Sequence, residues 1–187
     1  MLCAAPKGVK PRTQYVVLGL GSNLGDRAAA LQFAREQLAQ RGFPWSLASP
    51  VIETEPIGGP IGQQPYLNQV VAALLEAVRL TPEELLQVAL EIESARGRTR
   101  RIRWESRTLD LDLILWGDLI TTTGALEIPH PRFRQRRFVL EPLVAVLPDL
   151  VDPVSQLSIR QLLDRMADQP ETQGRLSGES DRWTNND

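Results

Sequence analysis

The stretch RTLDLDLILWG, residues 107–117, decides how this chain is read. Leucines alternate with a pair of aspartates, and successive side chains of a strand point to opposite faces. Leu109, Leu111, Leu113 and Leu115 are therefore expected on one face of a sheet, with Asp110 and Asp112 on the other. Aspartate is depleted in strands, and two carboxylates about 7 Å apart repel by about 2 kcal/mol at an effective dielectric near 20. Either the pair lies on a solvated outer face, or something positive belongs between its members.

The chain supplies positive charge on both sides of that pair. Its 187 residues carry a formal net charge of −2, which points to no class of partner, but the distribution is uneven. Lys7 and Lys10 are the only lysines. Six arginines (Arg96, Arg98, Arg100, Arg101, Arg103, Arg107) lie within residues 96–107, just before the aspartates, and four more (Arg132, Arg134, Arg136, Arg137) lie within residues 132–137, just after His130. Guanidinium is a fixed charge with a planar fork of donors suited to phosphate oxygens. A charge run can equally be a solvated face, so the clusters gain meaning only from the aspartates they bracket.

Composition, with 42% hydrophobic and 24% charged residues, suits one soluble domain with its own core. That domain is expected over 14–167, with flexible tails at 1–13 and 168–187. Cys3 is the single cysteine and His130 the single histidine, which excludes an internal disulfide and Cys/His metal spacing. The N-terminal apolar run is too short for a signal peptide, and no segment approaches the ~20 apolar residues of a membrane span. A cytoplasmic protein is expected.

Along the chain, QYVVLGLGSN reads as a strand ending in a turn at Gly21-Ser22-Asn23. A helix follows, with Leu31, Ala34 and Leu38, and Phe33 beside them, as its stripe, stopped by Arg41-Gly42. FPWSLASPVIETEP (43–56) reads as a second strand and YLNQVVAALLEAV (66–78) as a third. TPEELLQVALEIESARG (81–97) has a threonine cap, proline at the first helical position and acids in the first turn, the order a helix start wants. After the Leu/Asp strand come a turn at Gly117-Asp118, a short strand from Leu119, a partly helical stretch over 132–148 and a last helix over 158–166. This order predicts an α+β, ferredoxin-like sandwich: a largely antiparallel sheet with helices on one face and the other free for ligands.

Several chemistries drop out. There is no G-x-x-x-x-G-K-[ST] loop and no lysine beyond residue 10 to serve one. GLGSN lacks the third glycine of a dinucleotide fingerprint, and His130, between two prolines, has no evident triad partners. What remains is a hard-cation site, two carboxylates being the usual protein share of Mg²⁺ binding, with arginines covering the remaining phosphate charge. Phosphoryl-type transfer needs alignment and charge stabilisation more than a strong base.

The segments YVVLGLGSNLGDR, YLNQVV, GRTRRIRWESRTLDLDLILWG and IPHPRFRQRRFVLEPL resemble the 6-hydroxymethyl-7,8-dihydropterin pyrophosphokinases, with RTLDLD and PHPR in a specific order and spacing. The resemblance implies a monomeric enzyme that moves pyrophosphate from ATP to a pterin alcohol and releases AMP. By position it implies that Asp110 and Asp112 hold two Mg²⁺ ions. Arg98, Arg100, Trp104 and Arg107 match a loop that closes over ATP, with Arg98 and Arg107 acting in catalysis, and His130 and Arg136 match contacts to the phosphates. Tyr66, Asn68 and Phe138 match the pterin pocket, where two rings sandwich the bicycle and an amide reads its edge, and Thr54, Pro56 and Ile57 match the loop lining it. The chain departs from the family in having Glu105-Ser106 where Gly-Pro is common, and Arg137 where a small residue often stands.

Two rival readings are set beside this one. An RNA-binding ferredoxin-like module would use the arginines and aromatics for charge and stacking, but carboxylates on its face would repel a phosphate backbone. A catalytically dead pterin-binding scaffold would keep the pocket without turning over ATP. Neither nucleic acid nor a membrane is expected as a partner.

Overall fold

The computed structural model describes residues 12–56, 62–96, 107–124 and 126–167. Strand β1 (Tyr15–Ser22) runs through the sheet between β4 (Tyr66–Leu74) and β5 (Asp110–Trp116), antiparallel to both. The far side of β4 takes two short strands, β2 (Leu47–Ala48) and β3 (Ile52–Thr54). The single strand expected over 43–56 is thus broken in two, with Ser49 at the break: its hydroxyl accepts from Val70 N–H at 3.0 Å. A separate hairpin pairs β6 (Thr121–Thr123) with β7 (Leu126–Ile128). The strand expected from Leu119 starts two residues later and has a partner that the sequence reading did not single out.

Helix α1 (Arg27–Gln40) starts at Asp26, whose carboxylate accepts from Ala29 N–H at 2.9 Å. Helix α2 (Pro82–Ala95) has the expected start in full: Thr81 Oγ1 accepts from Glu84 N–H and the Glu84 carboxylate accepts from Thr81 N–H. Such reciprocal capping satisfies two otherwise orphaned donors. Helices α3 (Arg137–Val146) and α4 (Ile159–Ala167) are the last two among the described residues, α3 being preceded by a single 3₁₀ turn, Phe133–Gln135.

Strand β5 carries one irregularity. Leu18 faces Leu113 but Val17 faces Leu115, so Ile114 is the extra residue of a β-bulge. The alternation holds from Leu109 to Leu113, which pack with Leu18 and Leu20 against Leu31, Ala34 and Leu38 of α1 and Leu85, Ala89 and Ile92 of α2. Beyond the bulge the parity reverses. Leu115 lies with Ile114 on the opposite face, against Val139, Leu140 and Leu143 of α3 and Ile159 and Leu162 of α4. Two expectations are corrected here: Leu115 does not share a face with the other leucines, and helices cover part of both faces. The fold is nonetheless ferredoxin-like, with the second pair of helices on only one half of what was expected to be a free face. The uncovered half is where Asp110 and Asp112 emerge.

Candidate active site

Sheet register lays out the floor of the site. Across three adjacent strands, Asn68, Gly21 and Asp110 are aligned, and one pleat along, Val70, Gly19 and Asp112 are aligned. The glycines leave a trough in the middle strand. Because strands lie about 4.8 Å apart, the trough separates Asn68 from Asp110 by about 10 Å at the backbone. A Cβ placed on Gly21 would stand 3.4 Å from Asn68 Oδ1 and 3.9 Å from Asp110 Cβ and from the Tyr66 ring. Gly21 is therefore the point on which both halves of the site converge. The sequence reading placed it in a turn, but it lies inside β1, and the signal it offered was glycine at alternate positions of an apolar strand.

Above this floor opens a cleft of about 490 Å³, a size usual for small-molecule sites. It is lined by Thr54, Pro56, Tyr66, Asn68 and Phe138 on one side and by Arg107, Asp110, Asp112, His130 and Arg136 on the other. Arg98, Arg100 and Trp104, and also Ile57, lie outside the described residues.

The charged side is a set of close pairs. Arg107 Nη1 donates to Asp110 Oδ2 at 2.6 Å and Arg136 Nη1 to Asp112 Oδ2 at 2.9 Å. Burial works to lower the Arg107 pKa, but Asp110 outweighs it through charge and hydrogen bond, so the guanidinium is held above its ordinary value. His130 is fixed at both ends. Its N–H donates to the carbonyl of Ile114, the bulge residue, at 2.9 Å, and its Nδ1 accepts from Arg132 N–H at 3.1 Å. That leaves Nε2 as the protonated nitrogen of the neutral ring, 3.9 Å from Asp112 Oδ2 and too far for a hydrogen bond to it. Burial lowers the imidazole pKa, Asp112 opposes this, and the nearby Arg136 and Arg132 add to the lowering.

The other side is flatter and less charged. Asn68 is nearly buried, and its Nδ2 donates to Thr54 Oγ1 at 2.8 Å. Tyr66 opens β4, and Phe138 lies in the first turn of α3 with the Arg136 guanidinium 5.5 Å from its ring centroid.

Three further features were not singled out from the sequence. Asn23, wholly buried, accepts from Arg107 N–H at 2.6 Å and donates to Gln63 Oε1 at 3.2 Å and to the Gln64 carbonyl at 3.3 Å. It thereby ties the approach to β5 to the approach to β4, that is, one half of the site to the other. Arg27 donates to the Pro65 carbonyl at 2.6 Å, just before Tyr66, and to Glu53 at 2.9 Å. The cleft also passes the edge of β5 to reach Leu86, Leu90 and Glu93 of α2.

Fold and cleft together define a class: a ferredoxin-like protein with two carboxylates and fixed cations at one end of a trough and two aromatic rings with a buried amide at the other. Residues 17–148 match the family model of 7,8-dihydro-6-hydroxymethylpterin-pyrophosphokinase, and the chain belongs to that family. It is 39% identical over 167 residues to the 2-amino-4-hydroxy-6-hydroxymethyldihydropteridine pyrophosphokinase of Synechocystis, covering 89% of this chain and 83% of that one. Identity to the Methylorubrum extorquens protein of the same name is 39%, covering 80% and 91%. Among solved structures, an HPPK-DHPS triple mutant of Plasmodium falciparum superposes with a TM-score of 0.62 at 15% identity, over 82% of this chain and 44% of that one, a likeness of fold alone. The RNA-binding alternative finds no support in these comparisons.

Proposed function

We propose that the protein transfers pyrophosphate from ATP to 6-hydroxymethyl-7,8-dihydropterin, giving the pterin diphosphate and AMP, a step of folate biosynthesis. The observation that carries this reading is the row Asn68, Gly21, Asp110. A flat ring reading Asn68 and a polyphosphate reaching Asp110 and Asp112 would meet over the same two glycines, which is the proximity that transfer between two substrates requires.

On this reading the pterin lies between Tyr66 and Phe138, its edge toward Asn68 and Thr54, with Pro56 beside it. Its hydroxymethyl oxygen attacks the β-phosphorus of ATP and the bond to the α-phosphate oxygen breaks, so AMP leaves. Arg107 and Arg136, held at the rim by the two aspartates, are within reach of the charge that gathers on the phosphate oxygens. His130, neutral with its proton on Nε2, donates a hydrogen bond there without adding charge. The apolar Leu86 and Leu90, past the edge of β5, offer a surface for the purine.

Asp110 and Asp112 are the residues that would hold Mg²⁺. Among the described residues no third His, Cys, Asp or Glu gathers with them. Two carboxylates fit a hard cation that completes its shell with phosphate oxygens and water. Bound there, Mg²⁺ neutralises phosphate charge and polarises the phosphoryl oxygens. The proposal keeps a monomer as the working unit and a cytoplasmic setting.

The test is a nucleotide assay with ATP, Mg²⁺ and 6-hydroxymethyl-7,8-dihydropterin, resolving AMP from ADP. Pterin-dependent AMP that disappears on chelation is expected. Pterin binding without AMP would favour the inactive scaffold, and ADP in place of AMP would refute pyrophosphoryl transfer.

A further inference from the structure

The four arginines clustered just after His130, at positions 132–137, are disposed differently in the structure. Arg136 meets Asp112 in the cleft, Arg132 lines it, and Arg137 lies along α3 with its Nε donating to Glu141 at 2.6 Å. Arg134 does not line the cleft. Its Nε and Nη2 donate to the two oxygens of Asp152, each at 2.7 Å, and its guanidinium sits 4.7 Å from the Phe133 ring centroid. Asp152 is wholly buried in the loop between α3 and α4. Its remaining acceptor sites are filled by Ser155, through N–H and hydroxyl, and by Val154 N–H. A buried carboxylate gripped by a two-pronged guanidinium, with its other acceptor sites filled, is a rigid junction, and removing Arg134 would strand the Asp152 charge.

The junction grips the turn that carries the phosphate side of the site. The turn Phe133–Gln135 begins where Phe133 N–H donates to the His130 carbonyl at 3.2 Å, and ends where Arg136 N–H donates to the Phe133 carbonyl at 3.1 Å. No side chain caps it. One 3₁₀ turn has poor hydrogen-bond geometry and holds its place weakly by itself. Its anchors are the buried Phe133 ring and, one residue on, the Arg134 fork.

We propose that the Arg134–Asp152 pair is a positioning device for His130 and Arg136, holding both at the phosphate end of the cleft from behind. This rests on the ATP-dependent reading above. A purely structural pair would stabilise the fold without distinguishing one substrate from the other, and that difference is measurable.

Arg134→Lys keeps the charge and loses the fork, and Asp152→Asn keeps the shape and loses the charge. His130 is the only histidine, so its ring Cε1–H resonance is assigned at sight and reports its surroundings whether or not the protein turns over. In variants shown by thermal unfolding to be folded, the His130 resonance is expected to move. The KM for ATP should rise about tenfold while the KM for the pterin stays put, as for a misplaced phosphate contact. In an Arg136→Ala background, Arg134→Lys should add clearly less than its effect alone, since one of the two side chains it acts through is already gone. Folded variants with an unmoved resonance and unchanged KM for ATP overturn the proposal, as do equal rises in both KM values or full additivity with Arg136→Ala. If Asp152→Asn does not fold, Arg134→Lys alone decides. A wild-type protein that makes no AMP refutes the functional reading, and the His130 resonance still decides the positioning.

Discussion

Replacing Gly21 by alanine adds one methyl to a strand interior whose φ is not left-handed, so the backbone accepts it without strain. Its nearest neighbours would be Asn68 Oδ1 at 3.4 Å and Asp110 Cβ and Tyr66 Cδ1 at 3.9 Å, ordinary contact distances at which no protein atom has to move. Glycine costs a strand interior about 0.5–1 kcal/mol relative to alanine. The melting temperature should therefore hold or rise. The methyl nevertheless stands in the trough between Asn68 and Asp110, where the pterin is proposed to cross. Forcing a methyl into a filled site costs about 1–3 kcal/mol, or about 5- to 150-fold in Kd. Calorimetric titration with 6-hydroxymethyl-7,8-dihydropterin, paired with thermal unfolding, reads both quantities. Gly19→Ala is the control: its Cβ would meet Ile114 Cδ1 at 3.4 Å in the row of Asp112, and pterin affinity should be kept. A stable Gly21→Ala protein with wild-type pterin affinity would refute the trough as the pterin's place, and an unstable one would refute the steric account.

Asp110→Asn and Asp112→Asn should each abolish AMP formation with the fold intact, because both side chains face the cleft; a variant retaining more than about a tenth of the wild-type rate would remove that residue from the mechanism. Asn23→Ala strands the Arg107 N–H and loosens residues 63–64, and should cost on the order of 3 kcal/mol in a denaturant titration. An effect below about 1 kcal/mol would show that water replaces the amide at little cost. His130 should titrate by NMR below its ordinary 6.5, and a midpoint at or above that value would contradict the described burial. Because the unfolded chain binds this proton first, the associated stability is complete above pH 6.5 and is lost as pH falls through the folded value.

Helix α2 was legible from its cap and the β5 aspartates from their parity, since both are local rules within a few residues. The reach of the Leu/Asp alternation was not, because the bulge at Ile114 arises from pairing with β1 and flips Leu115 by a non-local constraint. The break at Ser49 is similar, a hydroxyl taking up the N–H of Val70, 21 residues further along the chain. On the site side, the side chains with unusual chemistry for their setting drew attention. Gly19, Gly21 and Asn23 did not, for their role lies in what they leave open or tie together across strands. The resemblance to a known family named the pterin side, where a tyrosine and a phenylalanine alone would have read as core. Leu86 and Leu90 show the reverse limit, since an apolar residue on a helix face looks the same whether it meets a protein or a ligand.

Strand β5 ends the sheet, and an end strand normally offers a ladder of free N–H and C=O groups to any other chain. Here two of those groups are taken. The Glu93 carboxylate accepts from Leu111 N–H at 2.8 Å, and the Ile114 carbonyl accepts from His130 N–H at 2.9 Å. The edge that carries the aspartates is thereby closed to strand addition, and a second copy cannot add a strand there without first displacing Glu93 and His130. The groups that shape the cleft thus also guard the protein against edge-to-edge aggregation, which makes Glu93 a residue whose loss would surface as turbidity at high concentration.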